Sequence, residues 1–373
     1  MTTGLVWDER YFWYDFGDSR SLFGAHPHIQ PGSHIETPES KRRILNLLAS
    51  SGLLAQLREL KPSPVSSQEL CSIHDEAYVE SVRALSAGGG GSLGPGVPVP
   101  AGGYELAALA VGGTRRAIDA VLRGEVDNAY ALVRPPGHHA ERDRGMGLCI
   151  FANVAVATKL AMRDYGLARV AIVDWDAHHG NGTESAFYED PSVLTLSIHQ
   201  DMVIPGRGAV CDAGRGVGEG CNINIPLPPG SGTGAYLAAI DRVIAPALRR
   251  FRPELILVAS GLDACASDPT ARMLLLSDSY RIMTARLLEL AGELCSGRLV
   301  MSHEGGYDPT ATPFCALAIL ETMTGVRTGV QDPFGQLREE ELADHQRLQP
   351  HQDAVIAQAE ALPGTPRCAH QTR

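Results

Sequence analysis

Arg169-Val170-Ala171-Ile172-Val173 is a short, β-branched apolar run bounded by polar residues, and it reads as a buried strand. Directly behind it comes Asp174-Trp175-Asp176-Ala177-His178-His179-Gly180-Asn181-Gly182. A buried strand that releases carboxylates, imidazoles and glycines at its carboxyl end points to an open α/β sheet, where ligands sit outside the strand ends. Asp176 and His178 lie two apart, so an extended backbone turns both to one side. A carboxylate and an imidazole converging on one point form half of a metal site, and zinc suits that donor pair.

The same pattern recurs along the chain. Strands are expected at 129–133, 169–173, 193–198, 222–227, 255–259 and 298–301. Helices at 153–165, 183–188, 235–250, 277–294 and 314–323 alternate with them, which predicts a mostly parallel sheet covered on both faces. Earlier helices are expected at 41–57, opened by Thr37 and Pro38, and at 75–85 and 104–122. Residues 1–35 carry Trp7, Trp13, His26, His28 and His34 without metal spacing, and read as an irregular segment packed on the body. The glycine-rich run 88–96 reads as a linker or as a mobile loop at a site mouth. It is no phosphate loop, because no Gly-Lys-Ser/Thr follows it. One catalytic domain over 1–330 and a polar C-terminal extension over 331–373, a surface helix with a frayed end, complete the organisation.

Each polar cluster follows a strand. His138 and His139 follow the first through the rigid turn Arg134-Pro135-Pro136-Gly137, Asp263 follows the fifth, and Tyr307 follows the sixth through Gly305-Gly306. Carboxyl ends of parallel strands share one edge, so these residues can converge. Asp176, His178 and Asp263 make a three-ligand set with a free fourth position, the mark of catalytic rather than structural zinc. Such a metal lowers the pKa of water to about 7. His138 and His139 can carry protons, with Asp174 and Asn181 available to fix their tautomers. The Tyr307 phenol can hydrogen-bond a developing oxyanion. The set fits metal-assisted amide hydrolysis, with iron(II) as an alternative occupant of an oxygen-rich site.

The 373 residues, 44% of them hydrophobic, suffice for a large core, and the net charge of −11 argues against a general nucleic-acid binder. That charge weakly suits a cationic substrate or partner. The chain lacks a leading basic and apolar signal, and no stretch approaches the roughly 18 apolar residues of a membrane helix. Its eight cysteines include no Cys-x-x-Cys pair, so reduced thiols and a cytoplasmic location are expected.

The segments Val133-Arg134-Pro135-Pro136-Gly137-His138-His139-Ala140, 174–182, Ser260-Gly261-Leu262-Asp263-Ala264 and Glu304-Gly305-Gly306-Tyr307 carry a resemblance. In this order, over about residues 40–325, the chain resembles the zinc-dependent histone deacetylase and acetylpolyamine amidohydrolase superfamily. It is most similar to the bacterial class II-like histone deacetylase-like amidohydrolases. The resemblance implies an arginase-deacetylase fold, one α/β domain around an eight-stranded sheet. It implies zinc on Asp176, His178 and Asp263, His138 paired with Asp174, His139 facing Asn181, and Tyr307 polarising the acyl carbonyl. It also implies a structural potassium ion held by Asp174, Asp176, His178, Ser197 and Ile198, in part through backbone carbonyls. An acylated lysine or small amine is the implied substrate, and a homodimer or homotetramer the implied assembly.

The departures concern substrate. Gly147, Leu148, Ile204, Thr270 and Gly306 fall along the implied channel. Leu148 and Ile204 stand where the family commonly has phenylalanines, which predicts a wider channel, weak activity on simple acetyl-lysine and tolerance of larger acyl groups. An ungapped count puts the family's rim aspartate at Gly91, and Thr270 replaces the glutamate of a polyamine-selective relative. An acetylpolyamine deacetylase is the first alternative. A two-manganese ureohydrolase and a non-catalytic acyl-ligand binding homologue are weaker ones.

Overall fold

A computed structural model describes residues 1–17, 28, 30 and 32–362. Its strands are β1 (Thr3–Val6), β2 (Arg58–Leu60), β3 (Gly90–Ser92), β4 (Pro98–Pro100), β5 (Asn128–Ala131), β6 (Val170–Asp174), β7 (Val193–Gln200), β8 (Asn222–Leu227), β9 (Leu255–Ser260) and β10 (Leu299–His303). Eight of them form one sheet in the order β2-β1-β5-β10-β9-β6-β7-β8, and β3 and β4 form a separate two-stranded sheet. Every neighbouring pair in the large sheet is parallel, whereas β3 and β4 pair antiparallel. The chain is a single α/β domain.

The apolar runs follow from cover on both faces. In β6, Ala171 and Val173 join one hydrophobic cluster with Ile44, Leu48, Tyr280, Leu287 and Leu317 of the helices Glu39–Ser50, Ser277–Leu294 and Thr312–Thr324. Val170 and Ile172 join the opposite cluster with Ile118 and Ala155 of the helices Gly103–Leu122 and Asn153–Tyr165. Successive side chains take opposite faces, so a continuous apolar run serves both layers.

The structure differs from the sequence reading mainly at the ends. Residues 1–35 hold a sheet strand: β1 lies between β2 and β5, and the bare Cα of Gly4 admits Leu60, whose Cδ1 would lie 2.6 Å from any Cβ there. His26 lies outside the described residues; His34 is buried and accepts the Glu36 N–H at 3.0 Å. The helix expected at 41–57 stops at Ser50, because Gly52 turns left-handed (φ +78°) before the short turn Leu53–Gln56 and edge strand β2. The expected 235–250 helix runs as Thr233–Ala239, a π turn at Ile240–Ile244, and Ala245–Phe251. The glycine-rich run folds into the β3–β4 hairpin.

Helix Pro333–Glu341 has no buried residue, but Pro350–Ala361 buries Gln352, Ile356 and Ala359 against the body. Arg242 fastens that helix through Asp353 and Glu360, so it is an integral part of the fold. Residues 363–373 of the C-terminal extension lie outside the described residues. Among the described residues, no helix is long and apolar enough to cross a membrane.

Candidate active site

β6 ends at Asp174, β9 at Ser260 and β10 at His303, on three adjacent strands, and the loops leaving them build the site. Asp176, His178 and Asp263 each turn one ligand atom to a common point, all within 4.8 Å of one another. His178 Nδ1 lies 2.8 Å from Asp263 Oδ2 and 3.2 Å from Asp176 Oδ1. The backbone fixes the carboxylates: Gly305 N–H donates to Asp176 Oδ2 at 2.9 Å, and Ala177 N–H to Asp263 Oδ1 at 2.8 Å. Two glycines make the cradle possible. A Cβ at Gly261 would meet Asp176 Oδ2 at 2.1 Å, and one at Gly305 would meet Asp263 Oδ2 at 2.3 Å.

These donors fit a divalent cation. Burial and the neighbouring Asp176 charge push the Asp263 carboxyl up to about 6. Burial opposes charge on His178, but Asp263 and Asp176 outweigh it and hold the imidazole well above its usual range. Such crowded buried carboxylates demand a positive charge, and carboxylate–imidazole donors suit zinc or iron(II).

The cradle is flanked by two histidines with opposite electrostatics, their ring centroids 4.0 Å apart. His138 Nδ1 lies 3.0 Å from Asp174 Oδ2. Burial disfavours its charge, but Asp176 and Asp174 carry it up to about 10. His139 Nδ1 lies 2.8 Å from Asn181 Oδ1. Burial, then the charges of His138 and His178, hold His139 well below the usual histidine range. Glu304 supports the turn bearing both, accepting the Gly137 and His138 N–H groups at 2.6 and 3.1 Å.

A cavity of about 130 Å³ leads to this floor, lined by Pro95, Gly96, His139, Met146, Gly147, Leu148, His178, Ile204, Thr270 and Tyr307. Gly147 lies against the His139 ring, where a Cβ would come within 2.4 Å of Cδ2. Leu148 is a buried wall, held at φ +71° with its N–H on Gly96 O at 3.0 Å. Ile204 is 45% exposed and forms rim rather than wall. Tyr307 is anchored by its N–H on Asp268 Oδ2 at 2.7 Å, and burial raises its phenol well above 10, so it keeps its proton. Thr270 turns its hydroxyl to Asp268 Oδ1 at 2.5 Å. Gly306 is absent from the lining; its carbonyl meets Lys41 Nζ at 3.4 Å.

Residues 34–323 match the family model described as histone deacetylase domain. The chain belongs to the histone deacetylase family. It is 48% identical over 336 residues to a histone deacetylase-like amidohydrolase of Pseudomonas aeruginosa, covering 89% of this chain and 88% of that one. A probable deacetylase of Archaeoglobus fulgidus is 36% identical over 343 residues, covering 91% of each chain. The solved structure of the HDA15 HD domain matches with a TM-score of 0.80 at 30% identity, over 95% of this chain and 97% of that one. This histone deacetylase family member is therefore a deacetylase or amidohydrolase.

Not every channel position of this deacetylase follows the sequence reading. A side chain at Gly91 would strike Leu85 Cδ1 at 2.5 Å, so it faces the helix Glu76–Ala87, and Pro95 and Gly96 of the same hairpin reach the cavity instead. Ser197 lies beside Asp174 across β6 and β7, and its hydroxyl pairs with His199 Nδ1 at 2.9 Å; Ile198 is buried beside it.

Sequence reasoning missed a buried ionic group under Tyr307. Glu36 pairs with Lys41 at 2.8 Å and Arg134 at 2.6 Å, all three wholly buried. Lys41 lies 5.2 Å from the Tyr307 ring centroid, and Arg134 also donates to the carbonyls of Tyr11 and Tyr14 at 3.0 and 2.5 Å. The one available signal was a lysine at a position of the Glu39–Ser50 helix that its apolar periodicity turns inward.

Proposed function

We propose that this deacetylase removes acyl groups from lysine side chains, with one zinc ion on Asp176, His178 and Asp263. The observation that carries the reading is the convergence of those three ligands at the floor of a cavity that His139 and Tyr307 also line. Zinc bound there would polarise the amide carbonyl and lower the pKa of water. His139, with Nδ1–H on Asn181, presents a bare Nε2 that takes the proton of the attacking water and delivers it to the leaving amine. His138, held by Asp174, supplies positive charge beside the reacting centre. The protonated phenol of Tyr307 donates to the acyl oxygen as it gains charge.

The lining supports an acyl-lysine substrate. Among the described residues the cavity lining is mostly apolar and holds no carboxylate, which suits the alkyl stem of an acyl-lysine better than a polycation. Leu148 in place of a larger ring leaves room for acyl groups beyond acetyl. We assign potassium to the oxygen donors of Asp174, Asp176, His178, Ser197 and Ile198, because Asp174, the last residue of β6, pairs with Ser197 of β7 and oxygen suits an alkali cation. A catalytic unit over 1–330 on which the 331–373 extension packs through Pro350–Ala361, a cytoplasmic location and a homodimer or homotetramer belong to the same proposal.

A panel of acetyl-, trifluoroacetyl- and longer acyl-lysine peptides with acetylated putrescine and spermidine, each with a chelator control, tests the reading. Chelator-sensitive turnover of lysine peptides is expected. Turnover confined to acetylpolyamines would replace the substrate assignment.

A further inference from the structure

We infer that Glu141 is a positioning residue for the reaction: by fixing the side-chain amide of Asn181, it decides which nitrogen of His139 carries the proton. The inference rests on the reading of His139 as the proton carrier.

An asparagine amide can be turned either way, and only its partners choose. Asn181 Nδ2 lies 2.7 Å from Glu141 Oε1 and 3.2 Å from the His139 carbonyl. A carboxylate and a carbonyl only accept, so the nitrogen must face them. That leaves Oδ1 facing His139 Nδ1 at 2.8 Å. Oδ1 only accepts, so Nδ1 carries the hydrogen and Nε2 is left bare. An aspartate in place of Asn181 would impose this tautomer by its own charge. An asparagine does so only when something outside holds its orientation.

Glu141 is held firmly enough to do this. Its side chain is 11% exposed and takes two further cationic donors, Arg207 Nη1 on Oε1 at 3.1 Å and Arg144 Nη2 on Oε2 at 2.5 Å. Its backbone N–H donates to the Arg144 carbonyl at 2.9 Å. Its carbonyl lies 2.9 Å from His74 Nδ1, while His74 Nε2 accepts the Ala152 N–H at 2.9 Å, so Nδ1 is the donor. Burial lowers His74 to about 4 and keeps that ring neutral. Arg144 precedes the Gly147–Leu148 wall, and Arg207 belongs to the segment bearing Ile204. One carboxylate thus ties both sides of the channel to the amide that orders His139.

The test compares wild type, Glu141→Gln, Asn181→Asp, the double variant and His139→Ala, each checked for zinc content and melting temperature. Glu141→Gln can offer Asn181 either a donor or an acceptor, so kcat should fall about 10-fold with KM and zinc content little changed. Asn181→Asp sets two carboxylates against each other and should also lose activity. In the double variant the introduced glutamine amide donates to the introduced aspartate, which again accepts from His139, so kcat should recover to within about threefold of wild type. Losses that add in the double variant overturn the inference. So does a wild-type kcat in Glu141→Gln when His139→Ala is inactive, which leaves the proposed function standing. Full activity in His139→Ala instead removes the proton-carrier reading itself. Should Glu141→Gln fail to fold, recovery of the double variant relative to Asn181→Asp decides the matter.

Discussion

Asp174 joins the two halves of the site: Oδ2 lies 3.0 Å from His138 Nδ1, and Oδ1 accepts the Asp176 N–H at 3.0 Å. One carboxylate therefore orients both the His138 imidazole and the backbone of Asp176. In Asp174→Asn, His138 loses one of the carboxylate charges, with Asp176 and Glu304, that lift it to about 10 against burial. We expect kcat to fall about 100-fold with KM within about threefold. Steady-state kinetics at matched zinc content check this; an unchanged kcat contradicts the role.

Gly305 is part of the ligand cradle, because any Cβ there would lie 2.3 Å from Asp263 Oδ2 and 2.8 Å from Asp176 Oδ2. Gly305→Ala should weaken zinc binding about 10- to 100-fold, the range for displacing a group that orients ligands. Competition with a fluorescent chelator reads this directly, without any assay of turnover. Wild-type affinity would mean that the carboxylates do not hold the metal.

Much of the site was legible because chemistry follows strand ends in this architecture. Residues 170–174 and 255–260 declared themselves as strands by apolar runs, and the polar residues after each converge. β1 and β2 were not legible. Thr3–Val6 offers four residues including a glycine, Arg58–Leu60 only three, and pairing with neighbours distant in sequence makes both strands. Glu141 and Glu36 escaped for a related reason. Glu141 acquires its role from Asn181, Arg144 and Arg207, and Glu36 from Lys41 and Arg134, partners that sequence spacing does not join. Ile356 lay in a polar tail whose composition concealed one buried helix face.

Glu36 links stability to pH. Burial alone would raise its carboxyl, but Arg134 and Lys41 prevail and hold it at about 2. A carboxyl with a depressed folded pKa contributes stability above its unfolded value of about 4.3, and that contribution is lost as pH falls toward about 2. Glu36→Gln leaves two buried cations without their counter-charge and should cost about 3–5 kcal/mol near neutrality. Urea denaturation at about pH 7 and about pH 3 should show the gap between wild type and variant narrowing in acid. A gap that widens in acid contradicts the ion-pair account.

Leu148 is a buried part of the cavity lining where Ile204 is open to solvent, and in the proposed function it limits the width available to the acyl group. Wild type should hydrolyse bulkier acyl-lysines faster than acetyl-lysine. Leu148→Phe should shift the ratio of kcat/KM values toward acetyl by about 10-fold, the scale of small steric changes in an apolar pocket. A wild type that prefers acetyl-lysine contradicts the channel argument.

Zinc titration of chelator-stripped protein, followed by hydrolysis of an acyl-lysine peptide, tests the central claim most directly. In the proposed function Asp176, His178 and Asp263 hold a single zinc ion. Activity should be absent from the stripped protein and rise to saturation at one zinc per chain. Turnover that survives stripping undiminished would contradict the account.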